Sequence, residues 1–244
     1  MHQISPRIFP GLLHPSNEGA IDWGFQNLIA YACQSSVVVV DPVKLDILQT
    51  LDGHSSKIKA VRWSNNTLTN DCTESYKLKL ASGDENGTIL IWNVLEATVL
   101  CTLSSTEKNK EILQMYFHPR DSNLLLTLQS PTILTLWNVQ EAKVIWRIGL
   151  VEPMINFFFN PFSTRQIFFY SQKGFLYEID NITKNSSPKN VKKHSLATSN
   201  IKNSTFQNFV LSPSYKNVVY FVFTKEVRVH DLVLDQVKKK RFYF

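Results

Sequence analysis

The chain has 244 residues, 43% of them hydrophobic and 12% aromatic, which is enough to bury a full core in one ordinary all-β domain. Its formal net charge of +6 raises nucleic acid and anionic membranes as partners. That charge is concentrated in Lys189 to Lys193 and Lys238 to Arg241, a connector and a tail, with no aromatic-and-basic platform for single strands, so solvated basic loops are expected.

Met1 to Arg7 lacks a basic stretch followed by an apolar one, and no run approaches the ~18 apolar residues of a membrane span. A soluble intracellular chain is expected. Cys33, Cys72 and Cys101 are odd in number and far apart, which argues against a disulfide framework or a zinc site.

Taken in order, Arg7 to Leu13 has room for a brief edge strand at most, confined by Pro10. Four short runs follow, Ala20 to Trp23, Leu28 to Cys33, Ser36 to Asp41 and Asp46 to Leu51, and they predict a four-stranded meander over 20–52. Val37 to Val40 does not alternate with polar residues, so that strand is expected to be covered on both faces. A second unit, 53–104, begins at Gly53-His54 and continues with Ile58 to Trp63. A polar insertion, Ser64 to Tyr76, then leads to Leu80-Ala-Ser-Gly-Asp-Glu-Asn-Gly-Thr-Ile-Leu-Ile-Trp-Asn-Val94. Asn86-Gly87 there tolerates positive φ and predicts a two-residue type I′ hairpin.

The third unit, 111–149, holds Ile112 to Phe117, the corner Phe117-His118-Pro119, Asn123 to Leu128, Thr132 to Asn138 and Lys143 to Ile148. The fourth, 154–197, holds Ile155 to Phe159, Gln166 to Tyr170 and Phe175 to Asp180, its phenylalanines spaced for a core between sheets. Asn181 to Asn203 is rich in Asn, Ser and Lys and is expected to be a flexible polar insertion, with Val191 to Leu196 as a weak outer strand within it. The fifth, 206–244, has three clear strands, while Gln236 to Phe244 carries four consecutive basic residues that suit pairing poorly.

Trp92-Asn93 and Trp137-Asn138 close their strands in the way a Trp-Asp pair closes the third strand of a WD40 propeller blade, and Gly53-His54 matches the opening of such a repeat. The repeat-ending residues Asp41, Asn93, Asn138, Asp180 and Asp231 are spaced by 52, 45, 42 and 51 residues. The expected fold is therefore an all-β WD40-type propeller of about five four-stranded blades. Its polar chemistry is structural: His54, Ser82, Asn86 and Trp92 are expected to form a buried hydrogen-bond chain, with Asn86 standing weakly where the repeat has an Asp. No catalytic, cofactor or metal residues are assigned, because no phosphate loop, metal pair or nucleophile motif is present.

Ala20 to Asp41, with its Asp-Trp-Gly and Leu-Ile-Ala-Tyr segments before the valine run, resembles the start of the first propeller of the WD repeat-containing protein 11 family. The likeness continues through Leu80 to Val94, Leu134 to Asn138 and Phe159 to Phe162. The resemblance implies a non-enzymatic scaffold of two propellers and a helical region. It also implies protein partners in vesicle tethering at the trans-Golgi network, a link to cilium formation and Hedgehog signalling, and membrane association only through those partners. Set against that pattern, an end at Phe244 is expected to be a truncation, leaving an open arc whose terminal faces are exposed. The alternative is a propeller that binds lipid or nucleic acid through its basic insertion and tail.

Overall fold

The computed structural model describes residues 14–64, 78–104, 110–173, 175–185, 187–188, 191–194, 206–224, 226–233 and 236–240, with 206–207 and 236–240 as backbone alone. The arm 7–13, the insertion 65–77 with Cys72, and the tail beyond 240 lie outside the described residues. The chain divides into two compact units, Met1–Gly149 and Leu150–Phe244.

Among the described residues every regular element but one turn of 3-10 helix, Pro15–Asn17, is a strand, as the aromatic and β-branched runs require. The first unit holds three antiparallel sheets of four strands. They are β1 to β4 (Ile21–Trp23, Ile29–Cys33, Ser36–Asp41, Asp46–Asp52), β5 to β8 (Ile58–Trp63, Lys79–Asp84, Thr88–Asn93, Thr98–Ser104), and β9 to β12 (Ile112–His118, Asp121–Gln129, Ile133–Asn138, Lys143–Gly149). Each is a meander in chain order, so its first strand is innermost and its fourth outermost, the organisation of a propeller blade.

Two apolar layers hold these blades together. One joins Ala30, Val37, Val39 and Leu51 of the first blade to Ile58, Val61, Leu80 and Trp92 of the second. The other joins Ala81, Ile89, Ile91 and Leu103 of the second to Ile112, Met115, Leu125 and Trp137 of the third. Both faces of the second blade are thus consumed, which is why its strands read as continuous apolar runs rather than alternating ones. Val37 to Val40 is buried on both faces as expected. The bare terminal face expected beside that run is not found at Val38 and Val40, which pack with Tyr31, Ile29 and Ile47 of their own sheet.

The second unit holds two more such blades. One is β13 to β16 (Met154–Asn160, Ser163–Ser171, Leu176–Ile179, Val191–His194) and the other β17 to β20 (Phe206–Leu211, Val218–Phe223, Val227–Asp231, Gln236–Lys240). The phenylalanines form the core between them, with Phe158 edge-on to Phe209 and Tyr170 against Phe209 and Phe221. Val191–His194 pairs with Leu176–Ile179, so the weak outer strand expected within the 181–203 stretch is present. One expectation is corrected here. Gln236–Lys240 pairs along the whole of Val227–Asp231, so the basic run completes the fifth blade. An outermost strand has one free edge, where lysines keep their hydration and also discourage further pairing.

The central hairpin differs from its expected geometry as well. Residues 85–87 form the connection, Gly87 N–H donates to the Asp84 carbonyl at 3.2 Å, and Gly87 alone takes positive φ, at 87°. This is a type I turn closed by a left-handed glycine, the three-residue solution, not a type I′ pair.

Candidate functional site

His54 lies four residues before β5, on the connection from the previous blade. Ser82 and Asp84 occupy alternate positions of β6, so both project from one face, and Trp92 lies on the adjoining β7. Trp92 Nε1–H donates to Ser82 Oγ at 2.7 Å, Ser82 Oγ meets His54 Nε2 at 2.7 Å, and His54 Nδ1 meets Asp84 Oδ2 at 3.1 Å. Chemistry fixes the direction of the chain. An indole nitrogen only donates and a carboxylate only accepts, so with a neutral imidazole Ser82 passes its proton toward Nε2 and the ring carries its own on Nδ1. Gly53 is required for close approach, because a Cβ there would sit 2.8 Å from the Trp92 ring.

This geometry corrects one residue of the expected set. Asn86 is exposed at the turn, and Asp84 is the member that meets His54. The other Asp84 oxygen, Oδ1, accepts the backbone N–H groups of Asn86 at 3.0 Å and Thr88 at 2.9 Å. Burial pushes the Asp84 carboxyl up, but the hydrogen bonds from His54 and Thr88 outweigh it and hold the group below the usual carboxylate value. The bond to the imidazole therefore keeps its charge assistance. The period of two along Leu80 to Asp84 was the available signal, since it puts Ser82 and Asp84 on one face while Asn86 lies beyond the strand.

Other blades carry polar ties of different make-up. Asn17, also four residues before its strand, donates to the carbonyls of Gln34 and Ile58 and accepts from Gln34 N–H, tying the first blade to the second. In the third blade Trp137 Nε1–H donates to Thr127 Oγ1 at 3.0 Å. In the fourth, buried Glu152 accepts from Tyr177 Oη at 2.6 Å and pairs with Lys173 at 3.4 Å. Burial raises the Glu152 carboxyl, yet the hydrogen bonds from Tyr177, Ser171 and Lys173 hold it below its usual value. The Tyr177 phenol is pushed up to about 12 by burial and by that carboxylate. Nothing in the sequence pattern announces this carboxylate version of the tie.

The repeat-ending residues mostly act on the turn that follows them. Asp41 Oδ1 accepts from the N–H groups of Val43 and Lys44, Asn138 Oδ1 from Glu141, and Asp231 Oδ1 from Val233. These are side-chain caps on the turn into the outer strand. Asn93 is buried at the equivalent position with no such bond to its side-chain oxygen. Asp180 precedes a longer connection and instead takes Gln166 Nε2 at 2.8 Å and Lys192 Nζ at 3.1 Å. His118, read as a corner residue, accepts the Arg120 N–H on Nδ1 at 3.3 Å.

Arg62, which sequence reasoning passed over, joins the inner strands of three blades. Its Nε donates to the Met115 carbonyl, Nη1 to Asp22 Oδ1 at 2.9 Å and the Ile21 carbonyl, and Nη2 to Gln114 Oε1 and Tyr116 Oη. All five guanidinium N–H groups are thereby used. The guanidinium carbon also lies 4.5 Å from the centre of the Tyr116 ring. Among the described residues no group of three or more His, Cys, Asp or Glu is placed to hold a metal ion, and Cys33 and Cys101 are not joined in a disulfide.

Trp23, at the end of β1, is 63% exposed, and Phe25, on the connection to β2, is 55% exposed. Trp23 Nε1–H donates to Asn27 Oδ1 at 3.0 Å, and Gly24 N–H to the Leu28 carbonyl, so the two rings stand on a fixed turn.

Residues 13–203 match the family model described as the WDR11 first beta-propeller. The chain is 31% identical to WD repeat-containing protein 11 of Homo sapiens over 179 residues, covering 73% of this chain and 15% of that protein. The Danio rerio protein of the same name is 29% identical over 181 residues, covering 73% of this chain and 14% of the relative. Elongator complex protein 2 of Arabidopsis thaliana is 23% identical over 138 residues, which is 51% of this chain and 16% of that protein. The chain thus spans about one-seventh of the length of the relatives it matches. WD40 blades with inward-turned polar ties and exposed apolar loops make a protein-interaction scaffold, and the chain belongs to the WD repeat-containing protein 11 family, within the first propeller.

Proposed function

We propose that the chain serves as a non-enzymatic docking platform in vesicle tethering between endosomes and the trans-Golgi network. The links to cilium formation and Hedgehog signalling implied by the family resemblance belong to the same reading. The observation that carries it is where the side-chain chemistry goes. The His54 chain, the five donors of Arg62 and the Glu152 carboxylate all turn inward onto the fold. Trp23 and Phe25 are exposed aromatic side chains of the first blade, and fixed aromatic tips are the usual anchors of protein partners. On this reading protein subunits of a tethering complex dock on the loops, membrane association runs through them, and no cofactor takes part.

The test is capture in cells. The chain fused to a mitochondrial anchor is expected to draw partner subunits, and through them trans-Golgi-bound vesicles, onto mitochondria. A Trp23→Ser/Phe25→Ser variant that melts like the unaltered chain should lose most of this capture. Failure of the unaltered chain to recruit any such subunit refutes the reading.

A further inference from the structure

Positive charge is segregated between the two units. Residues 150–244 hold 14 Lys and Arg against 6 Asp and Glu, whereas residues 1–149 hold 12 against 14. Within the second unit the charge gathers on the outermost strands, Lys192 and Lys193 on β16 and Lys238, Lys239 and Lys240 on β20. The outermost strands of the first unit, Asp46–Asp52, Thr98–Ser104 and Lys143–Gly149, show no such run.

The turns of these two blades add apolar tips to the charge. In a four-stranded meander the first-to-second and third-to-fourth connections open at one end of the sheet. In the fifth blade these two turns are bound together by the Leu232 N–H donating to the Asn217 carbonyl at 2.9 Å. Tyr215 on one is 65% exposed, Val233 on the other is 71% exposed, and Lys216 is exposed beside Tyr215. In the fourth blade Phe162 is exposed on its first turn, with exposed Arg165 following it. The blades stack like strand on like strand, Phe158 of β13 on Phe209 of β17 and Tyr170 of β14 on Phe221 of β18. The acidic groups described at this end are already engaged: Asp180 holds Lys192, and Asp231 caps Val233 N–H.

We propose that this turn-bearing end of the Leu150–Phe244 unit makes direct contact with an anionic lipid bilayer. Phe162, Tyr215 and Val233 enter the headgroup boundary, and Lys216 and Arg165 beside them meet the lipid phosphates and carboxylates. Apolar tips ringed by cations match an interface that is apolar inside and negative outside. A nucleic acid offers such tips nothing, because single aromatics on separate turns do not form a stacking groove and valine gains nothing against phosphates. The contact adds a direct route to the partner-mediated membrane association proposed above and does not rest on it.

Flotation of the full purified chain with protein-free vesicles tests this. The chain should bind phosphatidylcholine vesicles carrying phosphatidylserine and not phosphatidylcholine alone, with binding weakened by raised salt. Each unit of charge near the surface is worth about fivefold in partition, so Lys216→Glu should weaken binding about 25-fold. Tyr215→Ser/Val233→Ser leaves the charge intact and should still lower partition about tenfold. Both variants alter exposed turn tips, and circular dichroism and melting checks that they fold, with Lys216→Ala as the milder alternative. Equal binding to neutral vesicles, no binding to either, or an unchanged partition of the tip variant overturns the proposal. So does tighter capture by RNA or an acidic polypeptide that the tip variant leaves intact, which would make this end a site for soluble polyanions.

Discussion

Asp84 and Asn86 make opposite predictions under two assignments of the polar chain. Asp84 accepts from His54 and from the backbone N–H groups of Asn86 and Thr88, all at 2.9–3.1 Å. Asp84→Ala removes the acceptor and strands three donors, two of them backbone groups. Hydrogen bonds to a charged acceptor contribute roughly 1.5–3 kcal/mol each, and the three are not additive because they share one carboxylate. An expected cost of about 3–5 kcal/mol matches what removal of one partner from a buried pair usually costs. At about 2–4 °C per kcal/mol for a chain of this length, the apparent melting temperature should fall by about 6–20 °C. Asn86→Ala alters an exposed side chain and should stay within about 0.5 kcal/mol of the unaltered protein. Paired thermal and urea melts of the two variants, with His54→Ala and the double variant to give the coupling, measure this directly. Equal losses for Asp84→Ala and Asn86→Ala, or no coupling between Asp84 and His54, would refute the assignment.

Arg62→Met should cost about 2–4 kcal/mol in urea unfolding, because it takes one donor each from the Asp22 carboxylate and four other acceptors; Arg62→Lys should recover less than half, since one ammonium cannot reach five of them. Asp84 and Glu152 both have folded carboxyls held below their usual values of 3.8 and 4.5. Their contribution is present above those values and is lost as pH falls through the lower folded ones, so melts should weaken steeply below about pH 4.5. Tyr177→Phe removes one donor to Glu152 and should cost about 1–2 kcal/mol at neutral pH by the same melts, with less of the loss remaining in acid. Trypsin followed by mass spectrometry should cut after Lys184, which lies at a bend, before Lys192 or Lys193, whose strand is paired; first cleavage at Lys192 would contradict that pairing.

Several of these residues show how tertiary context changed a sequence reading. Gln236–Lys240 is too polar to be read as a strand from composition, yet it pairs because the third strand, Val227–Asp231, presents an edge to it. Pairing at an outer edge needs only backbone groups, so composition carries little signal there. Asn86-Gly87 names a turn but not its type, and the Asp84 side chain selected a three-residue type I form by capping Asn86 and Thr88.

The sequence by itself determined the all-β class, the blade repeat, the apolar layers through Trp92, Trp137 and the phenylalanines, and the membership of His54, Ser82 and Trp92 in one site. These follow from local period and spacing, which hydrophobic burial enforces strand by strand. Only the tertiary structure decided that Asp84 completes the site, that Arg62 spends five donors on three blades, and that Glu152 takes the linker role in the fourth. Such ties join residues up to 54 positions apart in the chain, as Arg62 and Tyr116 are. Their partners are chosen by which side chains the stacked sheets bring within about 3 Å, a distance that no pattern along the chain encodes.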